Sequence, residues 1–170
     1  LATSAIAMTK EEHKTAKDNI EATYKANKDK CDALKANAKD ICQKEAKGKE
    51  KVAKAELEAQ YKPSARNTQK VAEARADAAY DVAKEKCDDL KGNEKDVCEK
   101  DAKAAHVKAK EDAKVAAAQA KPADTAAEKA ANVAEARKDA NAEKNEANYK
   151  AAKERCDALS GDAKSKCVDD

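Results

Sequence analysis

Tyr80-DVAKEK-Cys87-DDLKGNEKDV-Cys98 places two cysteines eleven positions apart around a Leu-Lys-Gly-Asn centre, and its pattern occurs three times in the chain. The other copies are Tyr24-KANKDK-Cys31-DALKANAKDI-Cys42 and Tyr149-KAAKER-Cys156-DALSGDAKSK-Cys167. Each keeps a Tyr, a Cys seven residues on, an Asp, a Leu three after that Cys, and a second Cys. The segment between the cysteines reads as a helix-turn-helix. Leu90 closes the incoming helix, Gly92 takes the left-handed position beyond it, and Asn93 caps the outgoing helix. Asp96 stands where a capping-box acid belongs. Asn37 with Asp40 repeats the arrangement, and Asp162 with Ser165 is a weaker version. Ala36 stands where the other copies have Gly, so the first turn is expected to be strained or differently shaped.

Outward from these turns the apolar spacing is helical. Tyr24, Asn27, Cys31 and Leu34 follow one another at three, four and three residues. The same holds for Tyr80, Ala83, Cys87 and Leu90, and for Tyr149, Ala152, Cys156 and Leu159. Such stripes mark one face of a helix. They extend back through Ile20 and Ala16 in the first copy and through Ala76 and Ala72 in the second. The outgoing stripe is nearly all alanine: Cys98, Ala102, Ala105, Ala109, Ala113, Ala116. A second corner, Gln60-Tyr61-Lys62-Pro63 and Gln119-Ala120-Lys121-Pro122, alternates with the first. Proline ends a helix there because it has no N–H and crowds the preceding turn. The expected fold is all-α: repeated antiparallel helical hairpins of coiled-coil or Ala-coil type, each closed by a disulfide. Helices are expected over 9–34, 38–61, 66–90, 94–120, 125–159 and 163–168. The repeats fall at 8–62, 63–121 and 122–170, the last truncated.

Composition sets the energetic problem. The chain has 170 residues, of which 41% are charged and 2% aromatic, with no Trp or Phe. Burial contributes roughly 25 cal/mol per Å² of apolar area, and alanine offers little area. The core must therefore be thin and in need of cross-links. Lys+Arg (36) nearly balance Asp+Glu (34), for a net charge of +2. Pairs such as Glu45/Lys49 and Glu50/Lys54 support helices by a few tenths of a kcal/mol each. No basic stripe or aromatic platform points to nucleic acid, and no segment approaches the ~20 apolar residues of a transmembrane span.

The cysteines pair by position as Cys31/Cys42, Cys87/Cys98 and Cys156/Cys167. Close antiparallel helices bring facing Cα atoms within the roughly 4.4–6.8 Å that a disulfide needs. Zinc sites instead space ligands two to four residues apart, often with His. His13 and His106 are isolated in the sequence and are expected as exposed helix residues. Asp32, Asp40, Asp88, Asp89, Asp96 and Asp157 could gather a cation weakly, but they do not match a calcium loop. Tyr24, Tyr80 and Tyr149 are expected to lie over the disulfides, and Leu34, Leu90 and Leu159 to be structural residues that end the stripes of the incoming helices. No catalytic residues, cofactor site or metal site are assigned: the cysteines lack a thiolate-stabilising partner, and phosphate-loop and nucleophile-elbow motifs are missing. The expectation is a protein that is not an enzyme.

Leu1-Ala-Thr-Ser-Ala-Ile-Ala7 differs from the rest. Its Ala5-Ile6-Ala7 has the form of a signal-peptidase site, so residues 1–7 read as a signal-peptide remnant, a retained apolar arm or a helix lead-in. The motifs CDALKANAKDIC, CDDLKGNEKDVC and CDALSGDAKSKC, with KVAKAELEAQYKPSARN, resemble a group of uncharacterised exported β-proteobacterial proteins. That group has Ala/Lys-rich helices and repeated CDxLxGNxKDxC hairpins, and is often named TolA-like. The resemblance implies a periplasmic or secreted protein of a Gram-negative bacterium and carries no functional residues with it. The resulting expectation is a structural or interaction protein, self-assembling into oligomers or filaments or binding an envelope partner. In that picture residues 1–8 fill a groove on the next subunit, head to tail. A periplasmic stress protectant or holdase is the alternative, and metal or haem capture a weaker one.

Overall fold

A computed structural model of the chain describes residues 7–170, and all its regular elements are helical. The expectations for residues 1–7 lie outside the described residues, Ala7 apart. Helix α1 spans Lys10–Lys30 and runs into a 3-10 turn at Cys31–Ala33; α2 spans Ala36–Tyr61 and α3 Ala65–Cys87. Helix α4 spans Gly92–Ala120, α5 Ala126–Cys156 and α6 Gly161–Asp169. The starts away from the disulfides are made by hydroxyl caps. Thr9 accepts from the Glu12 N–H while Glu12 accepts from the Thr9 N–H. Ser64 accepts from the Asn67 N–H and Thr125 from the Glu128 N–H. Each satisfies an N–H that the first turn leaves without a partner.

The helices form a single antiparallel layer. Each packs on its neighbours in the chain and, among the described residues, on no other helix. The interior helices α2, α3 and α4 are thus flanked on both sides, while α1 and α5 form the long edges. The buried apolar positions are Ala46, Ala76, Ala102, Ala113, Ala140, Ala151, Leu57 and three cysteines, Cys31, Cys87 and Cys156. That is a core of small side chains, as composition required. Small residues let the backbones approach: a Cβ added at Gly48 would lie 2.8 Å from the Ala78 Cβ. Ion pairs cross each seam, among them Lys54–Glu21, Lys51–Asp81, Arg75–Glu56, Lys110–Asp77 and Arg155–Asp101. Each is worth little at a surface, but together they favour one register.

Several local expectations are corrected. The incoming helices end at or just before the first cysteine of each pair, not at Leu34, Leu90 and Leu159. There the chain turns back early enough for the Leu N–H to bond the cysteine C=O. Asn37 and Asn93 are not caps: the residues preceding α2 and α4 are Lys35 and Lys91, and neither makes a side-chain cap bond. Asn37 instead donates to the Glu85 carbonyl on α3 at 2.9 Å, tying the first stapled turn to the second. On α4 the expected seam residues Ala105, Ala109 and Ala116 are exposed, while Ala102, His106, Ala113 and Ala117 turn inward. A strict seven-residue repeat drifts around a straight helix of 3.6 residues per turn, and α4 has two neighbours to satisfy.

Candidate functional site

The three stapled turns are one structure used three times. The disulfides are Cys31–Cys42, Cys87–Cys98 and Cys156–Cys167, each with its Cα atoms 5.6 Å apart. Leu34, Leu90 and Leu159 each donate their N–H to the first cysteine's carbonyl at 3.0 Å. The Asp after that cysteine pairs with a Lys three residues before the second: Lys39–Asp32 at 3.0 Å, and Lys95–Asp88 and Lys164–Asp157 at 2.9 Å. Three of the acids considered for a cation are therefore held by lysines. Among the described residues no three His, Cys, Asp or Glu side chains gather as a metal site requires. Ala36, Gly92 and Gly161 share the left-handed conformation, at φ 50°, 57° and 58°. The first turn is strained at Ala36 but has the same shape. The leucines are 37–43% exposed.

Each tyrosine stands about two helical turns before the first cysteine of its hairpin. Seven residues of helix place each about 10 Å from its cysteine, and there the outgoing helix decides its surroundings. Counting from the second cysteine, the residue at +5 is Lys47 in the first hairpin and Lys103 in the second. Their ammonium groups lie 4.9 Å from the Tyr24 ring and 5.6 Å from the Tyr80 ring. The residue at +8 is Glu50 in the first hairpin and His106 in the second. Tyr80 stacks on the His106 ring with centroids 4.5 Å apart, and His106 Nε2 donates to Asp77 Oδ1 at 2.6 Å. Tyr149 has no such cover among the described residues and is 56% exposed.

Both histidines thus depart from the exposed role expected of them. His13 of α1 stacks on Tyr61 of α2 at 4.2 Å and bonds Glu58 at 2.6 Å. The same trio of His, Tyr and an acid three residues before the Tyr therefore joins two pairs of helices. His106 Nδ1 is buried without a partner. Burial works against the charge on Asp77, but the His106 bond and the nearby Lys110 outweigh it and hold its carboxyl below the ordinary range. Glu50 is buried between α1 and α2, and hydrogen bonds from Lys47 at 2.6 Å and Lys54 at 2.7 Å keep its carboxyl acidic. Stability from this pairing is present above the ordinary glutamate range and fades as pH falls through the lowered value. The trios were missed from sequence, although Glu-x-x-Tyr and Asp-x-x-Tyr at 58–61 and 77–80 were visible.

The edges of the layer differ in chemistry. Helix α5 turns Ala140 and Ala151 fully, and Val133, Ala136, Lys144 and Ala147 partly, toward α4. On the opposite side Lys138, Ala142, Asn145 and Tyr149 are all exposed. At 100° per residue these four lie within about 40° of Cys156, the residue stapled to α6, so they continue the side of α5 that α6 begins to cover. The outer line of α1 is Thr15, Asp18, Ala22 and Asp29, bordered by Lys14 and Lys25, all exposed and without a large apolar side chain. No helix of the described residues is long and apolar enough to cross a membrane. No protein-family model, no curated protein and no solved structure matches the chain.

Proposed function

We infer that this chain is a non-enzymatic structural or interaction protein. It serves as a disulfide-stapled helical scaffold that associates with copies of itself or with an envelope partner. The observation that carries this reading is the single layer: among the described residues each helix touches only its chain neighbours, so the array leaves its two broad faces available to a partner. Repeat layers of this kind use extended surfaces for binding. All six cysteines are spent on three identical turns, which favours architecture over thiol chemistry. Disulfides form and persist in oxidising compartments. With the resemblance to exported Ala/Lys-rich proteins, this supports a periplasmic or extracellular location.

Light scattering on the oxidised protein over a wide concentration range tests the reading. The expected result is a mass that rises above the 18.2 kDa of one chain, or a complex recovered from the envelope after cross-linking. A single chain at every concentration, with no envelope complex, overturns it.

A further inference from the structure

The two broad faces of the layer differ in chemistry, and one repeated ion pair tells them apart. Glu56 and Asp112 each stand 14 residues after the second cysteine of their hairpin, and Arg75 and Lys144 each 12 before the next first cysteine. Arg75 pairs with Glu56 across the α2–α3 seam, and Lys144 with Asp112 across the α4–α5 seam. The register is the same, so both pairs lie on one side of the layer. On that side α3 carries Ala72, Ala79 and Val82 beside Arg75, and α4 carries Ala105, Ala109 and Ala116 around Asp112. Helix α5 adds Asn141 and Asn148, on either side of Lys144. Lys103 is nine residues from Asp112, or about 180° around α4, and so marks the opposite face. There the α4–α5 groove is lined by Lys100, Lys103, Glu143, Glu146 and Lys150. We propose that the alanine face is an interface between copies: it packs on the same face of a second chain. This names the surface for the self-association proposed above and rests on that reading.

Charge selects this face, and its size suffices. Arg75, Asp112 and Lys144 are already paired within the face, so a neutral surface can cover them without stranding a charge. The opposite face, laid on itself, would have to desolvate rows of lysines and acids. With helices 8–10 Å apart, about 20 residues each of α3, α4 and α5 present roughly 800 Å². Two copies then bury about 1,600 Å², the area of a standard stable interface. The face continues over α2, where a groove of about 520 Å³ is lined by Gly48, Val52, Ala53, Ala78 and Val82 beside the Arg75–Glu56 pair. Alanine also narrows the occupant. A methyl group gains little from a lipid or a flat ligand, because it offers little area. It contributes where helix lies close on helix, as Ala46, Ala76, Ala102 and Ala113 do in the chain's own seams. A second copy brings the same small side chains at the same helix spacing. An interface that uses one patch on both copies closes at two.

The test is sedimentation and light scattering of the oxidised full chain from micromolar to millimolar concentration, with Ala79→Glu, Ala109→Glu and, as a control on the opposite face, Lys100→Glu. The expected result is a monomer–dimer equilibrium that stops at two chains. Ala79→Glu and Ala109→Glu each weaken it about tenfold or more, since each sets an unpaired charge in the contact, while Lys100→Glu leaves it unchanged. Both alanines are exposed in the single chain and glutamate is a good helix former, so helicity by circular dichroism should not change; if one variant does lose helix, the other decides. Association unmoved by both alanine substitutions, or weakened only by Lys100→Glu, overturns this face while leaving self-association standing. Growth beyond two chains overturns the closed pairing. A monomer throughout removes the interface, and leaves the functional reading to the envelope complex that cross-linking would recover.

Discussion

The stapled corners and the proline corners reverse the same helices by opposite means. Each stapled corner repeats one geometry: left-handed Ala36, Gly92 or Gly161, a Leu N–H bonded to the first cysteine's carbonyl, a Lys–Asp pair and a disulfide. The proline corners share only a stop and a start: in each the N–H of the Lys before the proline bonds the carbonyl four residues back, and a Ser or Thr hydroxyl caps the next helix. At the first, the Lys62 N–H bonds the Glu58 carbonyl, Ser64 caps α3, and the Asn67 amide donates to the Lys62 carbonyl at 2.7 Å. At the second, Thr125 caps α5 and the Asp124 N–H bonds Glu128. A disulfide tolerates a narrow range of Cα separations, so the residues around it must reproduce one turn. A proline corner needs only a stop and a start, which many residues supply. The repetition in the sequence is densest where the chemistry is least forgiving.

The largest test of that contrast is reduction. Each disulfide closes a loop whose ends are 11 residues apart, and contributes about 3 kcal/mol on the chain-entropy account. In a core of alanines this is a large part of a stability that seldom exceeds about 15 kcal/mol. Full reduction is expected to lower the urea midpoint steeply and to remove much of the helical signal at 222 nm. A reduced protein as helical and as resistant as the oxidised one would show that the alanine seams suffice alone. Next in size is Gly48→Val, which pushes a branched side chain into the 2.8 Å approach to Ala78. A loss of about 2 kcal/mol is expected. Then comes Ser64→Ala at the first proline corner, expected to cost about 1 kcal/mol through loss of the cap. Equal effects of Ser64→Ala and of one disulfide's removal would erase the distinction between the corners.

The stapled corners were also the legible part of the fold. Cysteine spacing, Gly92 and Gly161 name a turn by local chemistry alone, and the disulfide pairing and helical hairpins follow. What failed to read depends on neighbours that the sequence does not name. Asn37 has the chemistry of a cap, but its amide finds the Glu85 carbonyl, 48 residues away on another helix. His13 and His106 seemed isolated because their partners Glu58, Tyr61, Asp77 and Tyr80 come from adjacent helices. Counting +5 and +8 from each second cysteine would have set Lys47 with Lys103 and Glu50 with His106, and so placed a cover over two of the three tyrosines. Thr9-x-x-Glu12 and Thr125-x-x-Glu128 are plain helix-start motifs in the sequence, and both caps form.

The finest distinction lies within the stapled corners themselves. A Cβ added at Gly92 would meet nothing within 4 Å, so that glycine serves its positive φ alone, whereas Gly48 serves close packing. Ala36 holds the same left-handed conformation with a side chain present, at a cost of about 1 kcal/mol. Ala36→Gly relieves that strain but gives the unfolded chain more freedom, which returns part of the gain. The net expectation is a stabilisation of about 0.5 kcal/mol, with Gly92→Ala shifting stability the other way by a similar amount. Paired urea titrations of the two variants measure it. Opposite signs would show that the three turns share one backbone requirement. Were Ala36→Gly to destabilise, the first turn would owe its shape to the disulfide and the Lys39–Asp32 pair, and the identity of the three corners would be imposed by their staples.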